Sequence, residues 1–287
     1  MIEPVDHEQI RRLAVDTLNQ VGITGMFPTP LEEIQQHLRL TVSGQLDFLG
    51  ADMPAELRDR MAALSGKLLG AVAVQEKIIY VDPSLPLPRG RYTLAHELGH
   101  SVIPWQKAAY GVDDYRHLSA DVKDRWEQEA NAFAADLLFG AGHFRRMSGF
   151  ENISLELPAR MCSLFGASFH ATARRYVEDH PRACALVVFG RGTTYVRRQP
   201  GLRVAYATQS QSFLEYCGQA LTALRLSVSL ARNDHELAAL AYQAAAGNLL
   251  GIVRGYYCAP VTGAEFDLEV RGGNYGNPMA LVIPRGV

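Results

Sequence analysis

The sequence predicts an α+β fold: a mostly helical N-terminal region with a small β-sheet, a helical connector and a β-rich C-terminal domain. Apolar residues recur at three- and four-residue spacing through much of the first 180 residues, which is typical of amphipathic helices. One early stretch, LLGAVAVQEKIIYV, is β-rich, and beyond about Pro181 strand-like runs take over. We therefore expect three segments, at residues 1–148, 149–180 and 181–287.

The first segment should contain helices and a single hairpin. Helices are predicted at residues 7–21, 31–38 and 54–64. Two β-rich runs flank the polar residues 75–77, which indicates a hairpin whose second strand is 78–82. Three prolines then lead into TLAHELGHSV, residues 93–102. The hairpin is therefore placed directly before the most distinctive sequence of the chain.

The longest predicted helix runs from about 120 to 139, where a wide apolar face is followed by Gly140. Residues 154–178 predict two helices joined by a glycine-containing turn, with Ser154 and Ser168 as N-caps. In the third segment we predict strands within 183–189, 193–198 and 202–208, a helix near 211–223, and a glycine-rich, strand-like tail at 260–287.

Composition excludes several classes of protein. With 287 residues, 48% hydrophobic residues and a formal net charge of -2, the chain is typical of a globular protein with no general affinity for nucleic acid or anionic membranes. Its apolar runs are far shorter than the roughly 18 to 20 residues that span a bilayer. The N-terminus does not resemble a secretory signal, so we expect a cytoplasmic protein without a membrane partner. Four widely spaced cysteines predict free thiols.

TLAHELGHSV contains His96, Glu97 and His100 in the pattern H-E-x-x-H. On a helix, residues four apart lie on one face, so both imidazoles can bind one metal ion. Glu97 lies about 100° round the helix, where its carboxylate can take a proton from water instead of binding the metal. The pattern therefore predicts a metal site with a general base, against the alternative of two solvated histidines.

The third ligand must come from another helix. A metzincin would have glycine at position 103 and histidine at 106, but the chain has Ile103 and Gln106. The helix at 120–139 offers Glu127 and Glu129, and either could instead be a solvated carboxylate. We favour Glu127, because Asn131 lies one turn later on the same face and can orient a ligand. Glu129 is the alternative.

The stretches RYTLAHELGH and EQEANAFAADLL resemble the ImmA/IrrE family of zinc metallopeptidases, whose pattern is H-E-L-G-H followed by E-x-x-A-N-x-F-A-x-x-L-L. The resemblance extends to about residue 145. It implies a zincin-like core, Zn²⁺ (with Mn²⁺ as an alternative) and Glu127 as third ligand. It also implies a cytoplasmic protease that cleaves a DNA-binding repressor, often of helix-turn-helix type, and thereby induces stress-response or mobile-element genes. The chain departs from the family at Phe139-Gly140 and at SVIPWQ.

Two further sets of residues are candidates for the reaction. Tyr110, Tyr115 and His117 lie between the two metal-binding helices and can donate a hydrogen bond to an oxyanion. We rank His117 first among these candidate catalytic groups, although each also fits an ordinary loop residue. Arg89 and Arg91 precede the motif helix, where they either contact a peptide or stay solvated, and we favour solvation.

The helix pair at 154–178 has the length of a helix-turn-helix, with Arg174 and Arg175 on its second helix. Glu178 and Asp179 offset these arginines, so a helical connector that packs on the peptidase core is favoured, and direct DNA binding is not expected to be the main role. The C-terminal domain resembles the GAF-like sensor domains of some family members, and its loop at 272–277 is interpreted as a hairpin turn.

Two functions from different classes remain. In the first, the chain is a zinc endopeptidase whose substrate is a partner repressor. In the second, it is a regulatory or binding protein, either repressor-binding or a small-molecule sensor, whose metal is structural. Glu97 favours the peptidase, because a structural metal site needs no general base.

Overall fold

The structure is a computed structural model that divides into two compact units. The described residues are 5–44, 70–73, 77–111, 119–148, 152–196, 199–224, 226, 229–230, 235–246, 251–259, 262–272 and 277–286. The first unit comprises residues 1–144 and 163–167, and the second comprises 145–162 and 168–287. Most of the two helices of the predicted connector therefore belongs to the second unit, whereas residues 163–167, which contain the end of the first of these helices and the turn, belong to the first.

The first unit is mainly helical. Its elements are α1 (His7–Val21), α2 (Leu31–His37), β1 (Thr41–Ser43), β2 (Gly70–Ala73), β3 (Ile78–Val81), α3 (Leu87–Val102), α4 (Pro104–Gly111) and α5 (Ala120–Leu138). The helices predicted at 7–21, 31–38 and 120–139 are confirmed, and the helix predicted at 54–64 lies outside the described residues. The sequence analysis did not predict α4.

Local sequence accounts for the ends of these helices. The Asp6 carboxylate accepts from the Gln9 backbone N–H at the start of α1, and Gly22 follows its end in the left-handed conformation, with φ of 79°. Proline lies in the first turn of α3, where a missing N–H costs nothing. The motif helix therefore begins at the end of the proline-rich link and continues for 16 residues.

A three-stranded sheet lies beside α3, with strand order β1-β3-β2. β3 pairs antiparallel with β2, for example Val72 with Ile79, and parallel with β1. The predicted hairpin is therefore confirmed, and β2 forms one edge of the sheet. Ile79, in the central strand, is fully buried in the core of this unit.

Helices α3 and α5 pack unusually closely. A Cβ atom added to Gly99 would lie 3.2 Å from Phe133 Cδ1 and 3.3 Å from Ala130 Cα. Ala130 and Phe133 are both fully buried. The end of α5 is tied down by Thr29, whose hydroxyl donates to the Leu137 carbonyl at 3.0 Å. These contacts fix the separation of the two helices that carry the metal-binding candidates.

The second unit is built on one antiparallel sheet. Its elements are α7 (Glu156–Leu164), α8 (Phe169–Glu178), β4 (Ala185–Val196), β5 (Gln199–Gln209), α9 (Gln211–Cys217), α10 (Ala220–Ala223), β6 (Ser229–Leu230), α11 (Glu236–Ala246), β7 (Ile252–Cys258), β8 (Glu265–Arg271) and β9 (Met279–Pro284). A short helix, α6 (His143–Ser148), precedes them at the boundary of the units. The strand order is β6-β5-β4-β9-β8-β7.

This sheet agrees only partly with the sequence analysis. The strands predicted between 183 and 208 correspond to β4 and β5, and the predicted helix near 211–223 is two short helices. Helix α11 and strand β7 were not predicted. The predicted turn at 272–277 lies largely outside the described residues. The core includes Val187, Phe213 and Phe266, together with the buried face of α11.

Helix α8 packs against its own sheet, and its arginines are paired within the helix. Arg174 Nε lies 2.7 Å from Glu178 Oε1, and Arg175 Nε lies 2.6 Å from Asp179 Oδ2. Arg175 is also buried. The hydroxyl of Tyr176 on the buried face donates to the Asn152 carbonyl. Neither guanidinium is presented alone to solvent. Helix α8 thus packs on the sheet of its own unit, whereas the sequence analysis expected the connector to pack on the peptidase core.

Two whole-chain properties complete the fold. Within the part of the chain that the structure describes, no helix combines the length and apolar character needed to cross a bilayer. All four cysteines are free; Cys184 is buried, whereas Cys258 is exposed.

Candidate metal centre

Three side chains from two helices converge at one point. Helix α3 contributes His96 and His100, one turn apart, and α5 contributes Glu127. The two Nε2 atoms are 3.1 Å apart. Glu127 places one carboxylate oxygen 3.2 Å from His96 Nε2 and the other 3.6 Å from His100 Nε2. The structure therefore brings together the two histidines and the glutamate favoured as third ligand.

The donor set fits a small divalent cation. A tetrahedral zinc site with bonds of about 2.0–2.2 Å has ligand atoms about 3.4 Å apart, close to the observed spacings. His96 Nδ1 faces Asn131 Oδ1 at 3.0 Å, and His100 Nδ1 faces Gln106 Oε1 at 2.6 Å. In a neutral ring each Nδ1 therefore holds the proton, so both Nε2 lone pairs face the carboxylate; a protonated His96 instead donates from Nε2 to Glu127. A group that consists only of such acceptors is stabilised when it binds a cation.

The centre leaves room for a further ligand. Among the described residues, the only group of three or more His, Cys, Asp or Glu side chains with converging ligand atoms is that of His96, His100 and Glu127. Glu127 is half-exposed, with 50% of its side chain accessible, whereas His100 is buried. The site is therefore reachable from solvent on the side of α5.

Asn131 links the metal-binding face of α5 to α3. Its Oδ1 accepts from His96 Nδ1 and also from the Tyr92 hydroxyl, at 2.8 Å. Asn131 was predicted to orient a ligand, and the structure places it next to His96. Tyr92 was not predicted. It lies four residues before His96, one turn earlier on the same face of the helix. This spacing could have identified Tyr92 from the sequence as a neighbour of the metal-binding candidates.

Glu97 lies against the sheet, with only 6% of its surface exposed. Burial raises its pKa to about 7, and the negative charge of Glu127 adds to the increase while His96 opposes it. Edge strand β2 closes one side, because a Cβ atom on Gly70 would lie 2.8 Å from Glu97 Oε1. The surrounding protein groups thus bring the pKa of Glu97 close to neutral pH, where a carboxylate can both accept and release a proton.

The charges of the three candidate ligands are interdependent. Burial lowers the pKa of His96, but its hydrogen bond and charge interaction with Glu127 and the charge of Glu97 raise it overall. The pKa of His100 is lowered, first by burial and then by His96. The hydrogen bond from His96 lowers the pKa of Glu127. The carboxylate is therefore ionised at neutral pH and available to a cation.

Glu129, the alternative ligand, points away from this group. Its carboxylate accepts from Trp105 Nε1 at 2.7 Å, Gln106 Nε2 at 2.8 Å and Arg125 Nε at 2.9 Å. Its side chain is 1% exposed, so the interpretation of Glu129 as a solvated carboxylate is wrong. Gln106, noted in the sequence only because it is not the histidine of a metzincin, contacts both Glu129 and His100.

The candidates for oxyanion stabilisation are not described. Tyr115 and His117 fall in the segment 112–118, outside the described residues, and so does the side chain of Tyr110. Arg89 is exposed, as expected. Arg91 is not solvated as expected: its Nη2 donates to the Thr29 carbonyl at 2.7 Å, and burial lowers its pKa. This arginine ties α3 to the N-terminal segment.

The comparisons agree with the geometry. Residues 58–176 match the family model Peptidase_M78, the IrrE N-terminal-like domain. These residues are therefore similar to an IrrE N-terminal-like domain. The match confirms the ImmA/IrrE resemblance over this stretch and supports a peptidase. The IrrE-like domain contains all three converging side chains, together with Glu97 and Asn131.

A solved structure extends the similarity in fold beyond the IrrE-like domain. A Mycobacterium tuberculosis transcriptional regulator matches with a TM-score of 0.57 and 14% sequence identity, over 98% of this chain and 89% of that chain. At this identity the similarity concerns the fold alone. A comparison with curated proteins gives no match.

Proposed function

We propose that the protein is a zinc-dependent endopeptidase that cleaves a DNA-binding repressor, and that His96, His100 and Glu127 hold the metal. The single observation that supports the proposal best is the convergence of these three donors within 4.8 Å beside the buried carboxylate of Glu97. A structural metal site would need no such base. Manganese is the alternative metal.

When bound, zinc supplies Lewis-acid chemistry that activates water and polarises a peptide carbonyl. The side chains of the protein transfer the proton and orient the proposed ligands. Glu97, with a pKa raised to about 7 by burial, takes the proton of the attacking water and then delivers it to the leaving amine. Asn131 and Gln106 hold the two imidazoles by their Nδ1–H groups. His117 stays our first candidate for stabilising the oxyanion.

The nature of the substrate is inferred from the family. A peptidase domain implies a protein substrate, and the ImmA/IrrE resemblance favours a helix-turn-helix repressor whose cleavage induces stress-response or mobile-element genes. The structural neighbour is named a transcriptional regulator, which suits a role in gene control. We propose that the second unit, which resembles a GAF-like domain, senses the activating signal in the cytoplasm.

Cleavage and metal content test the peptidase proposal together. The protein is co-expressed with the repressor encoded beside its gene, and fragments are identified by mass spectrometry with and without chelator. Glu97→Gln should keep one bound metal and abolish cleavage. Glu127→Ala should lower metal content, measured by elemental analysis after dialysis, more than Glu129→Ala does.

Asp124→Asn is the matched control, because Asp124 is an exposed carboxylate on the same helix as Glu127. It should change neither metal content nor cleavage. Undiminished cleavage by Glu97→Gln would refute the mechanism and favour the alternative, a regulatory protein with a structural metal. A greater loss of metal from Glu129→Ala than from Glu127→Ala would refute the ligand assignment.

A further inference from the structure

Glu129 is a buried carboxylate with no place in the reaction described so far. It lies on α5, two residues from Glu127, and three N–H groups surround it, those of Trp105, Gln106 and Arg125. A buried charge is costly unless it is paired and hydrogen-bonded. Arg125 Nε, at 2.9 Å, supplies the pairing. This site therefore suits a group that only accepts hydrogen bonds.

The carboxylate fixes the amide of Gln106. Gln106 Nε2 donates to Glu129 Oε2 at 2.8 Å and to the Trp126 carbonyl at 3.2 Å. Both protons of the amide nitrogen are thereby used, since an NH₂ group has two. Gln106 is fully buried, and its Oε1 is left facing His100 Nδ1 at 2.6 Å.

The amide in turn selects one form of the imidazole. An acceptor oxygen at Nδ1 requires that Nδ1 carry the proton, and a neutral imidazole then has its lone pair on Nε2. His100 Nε2 is the atom that faces His96 Nε2 and Glu127. The opposite orientation of the Gln106 amide would place NH₂ against Nδ1 and favour the tautomer with a proton on Nε2, which leaves no lone pair on the atom that faces the other two donors.

We propose that Glu129 is a positioning residue that fixes the amide orientation of Gln106 and, through it, the metal-binding tautomer of His100. This inference rests on the proposed metal site. Glu129→Gln keeps the size of the side chain but turns one acceptor into a donor amid three N–H groups. The Gln106 amide then rotates to offer its oxygen to position 129, and His100 adopts the tautomer protonated on Nε2.

The tautomer is measured directly in metal-free protein. Histidine is labelled with ¹⁵N, and long-range ¹H–¹⁵N correlation spectra at pH 8 distinguish Nδ1–H from Nε2–H rings; the signals of His100 are those lost in His100→Asn. Wild type and the exposed-site control Asp124→Asn should show Nδ1–H, and Glu129→Gln should show Nε2–H. Retention of Nδ1–H at His100 in folded Glu129→Gln overturns the proposal.

Metal affinity supplies the second readout, by competition with a chromophoric chelator for Zn²⁺. Glu129→Gln should bind about 10- to 100-fold more weakly, the usual loss when a partner of a ligand is removed. Adding Gln106→Glu puts an acceptor-only group beside His100 and lets the new amide at position 129 donate to it. This double substitution should recover most of the affinity, whereas a purely structural role for Glu129 predicts further loss.

The two measurements separate the inference from the proposed function. If wild type binds no zinc, the proposed metalloenzyme is refuted, while the tautomer of His100 in metal-free protein still decides the role of Glu129. If wild type binds zinc and the double substitution binds no better than Glu129→Gln alone, the positioning role is refuted and the metal site stands.

Discussion

Gly99→Ala should separate the two helices that carry the proposed metal ligands. The added Cβ atom would lie 3.2 Å from Phe133 Cδ1 and 3.3 Å from Ala130 Cα, closer than the 3.4–4 Å of ordinary contact. Both neighbours are fully buried, and the closest atom of Ala130 belongs to the backbone. Relief therefore requires α3 and α5 to move apart by a few tenths of an ångström.

The expected change in stability follows from two opposing effects. Overpacking a well-filled core costs about 1–3 kcal/mol, and replacing glycine by alanine within a helix gains about 0.5–1 kcal/mol. We expect Gly99→Ala to lower the free energy of unfolding by about 1 kcal/mol. Gly90→Ala is the matched control in the same helix: its Cβ atom has no neighbour closer than 4.0 Å, so it should gain about 0.5–1 kcal/mol.

Denaturant unfolding of metal-free protein gives the stabilities, and chelator competition gives the zinc affinity. Because His96 and His100 share a helix with Gly99, and Glu127 shares one with Ala130, wider helix separation should also weaken zinc binding in Gly99→Ala. Gly90→Ala should bind zinc as wild type does. If both substitutions stabilised the fold equally and left the affinity unchanged, the close packing of α3 on α5 would not set the ligand spacing.

Two further substitutions test other parts of the structure. Gly70→Ala should reduce cleavage by at least about tenfold with metal content unchanged, because its Cβ atom would meet Thr93 Cγ2 first and lie 2.8 Å from Glu97 Oε1, so that relief of the two contacts displaces the base; equal cleavage rates would refute these contacts. His180 is buried, and burial lowers the pKa of its imidazole to about 4. Its contribution to the free energy of unfolding is therefore fully present above pH 6.5, where the ring is neutral in both states, and is lost as the pH falls from 6.5 to 4. Between pH 7.5 and pH 4.5 the free energy of unfolding should therefore fall less in His180→Asn than in wild type, by about 2 kcal/mol once solvent screening is allowed for. An identical fall in the two proteins would exclude this titration.

The sequence predicts which faces of α3 and α5 carry the candidate ligands, because this depends only on the spacing of residues within each helix. His96 and His100 are one turn apart on α3, and Glu127 and Asn131 have the same spacing on α5. Helical periodicity alone places each pair on one side of its helix. Only the meeting of the two faces had to be inferred, and the family resemblance pointed to it.

The roles of Gln106 and Glu129 were not predictable in the same way. Their hydrogen bond joins residues 23 apart in sequence, and Gln106 lies on a helix that the sequence analysis had not predicted. Two glutamates separated by one residue have similar propensities, so only tertiary contacts distinguish the buried Glu129 from the half-exposed Glu127. In the second unit, α11 is apolar almost all round, which blurs the periodicity that reveals a surface helix.

Hydrogen bonds to protein groups at Nδ1 of both metal-binding imidazoles have a consequence for how the protein matures. Asn131 and Gln106 hold these rings by hydrogen bonds. The conformational entropy of the two side chains is therefore lost on folding rather than on metal binding. A zinc ion at the proposed site would therefore bind to ligands that the fold has already ordered, in contrast to a zinc finger, whose folding depends on the metal.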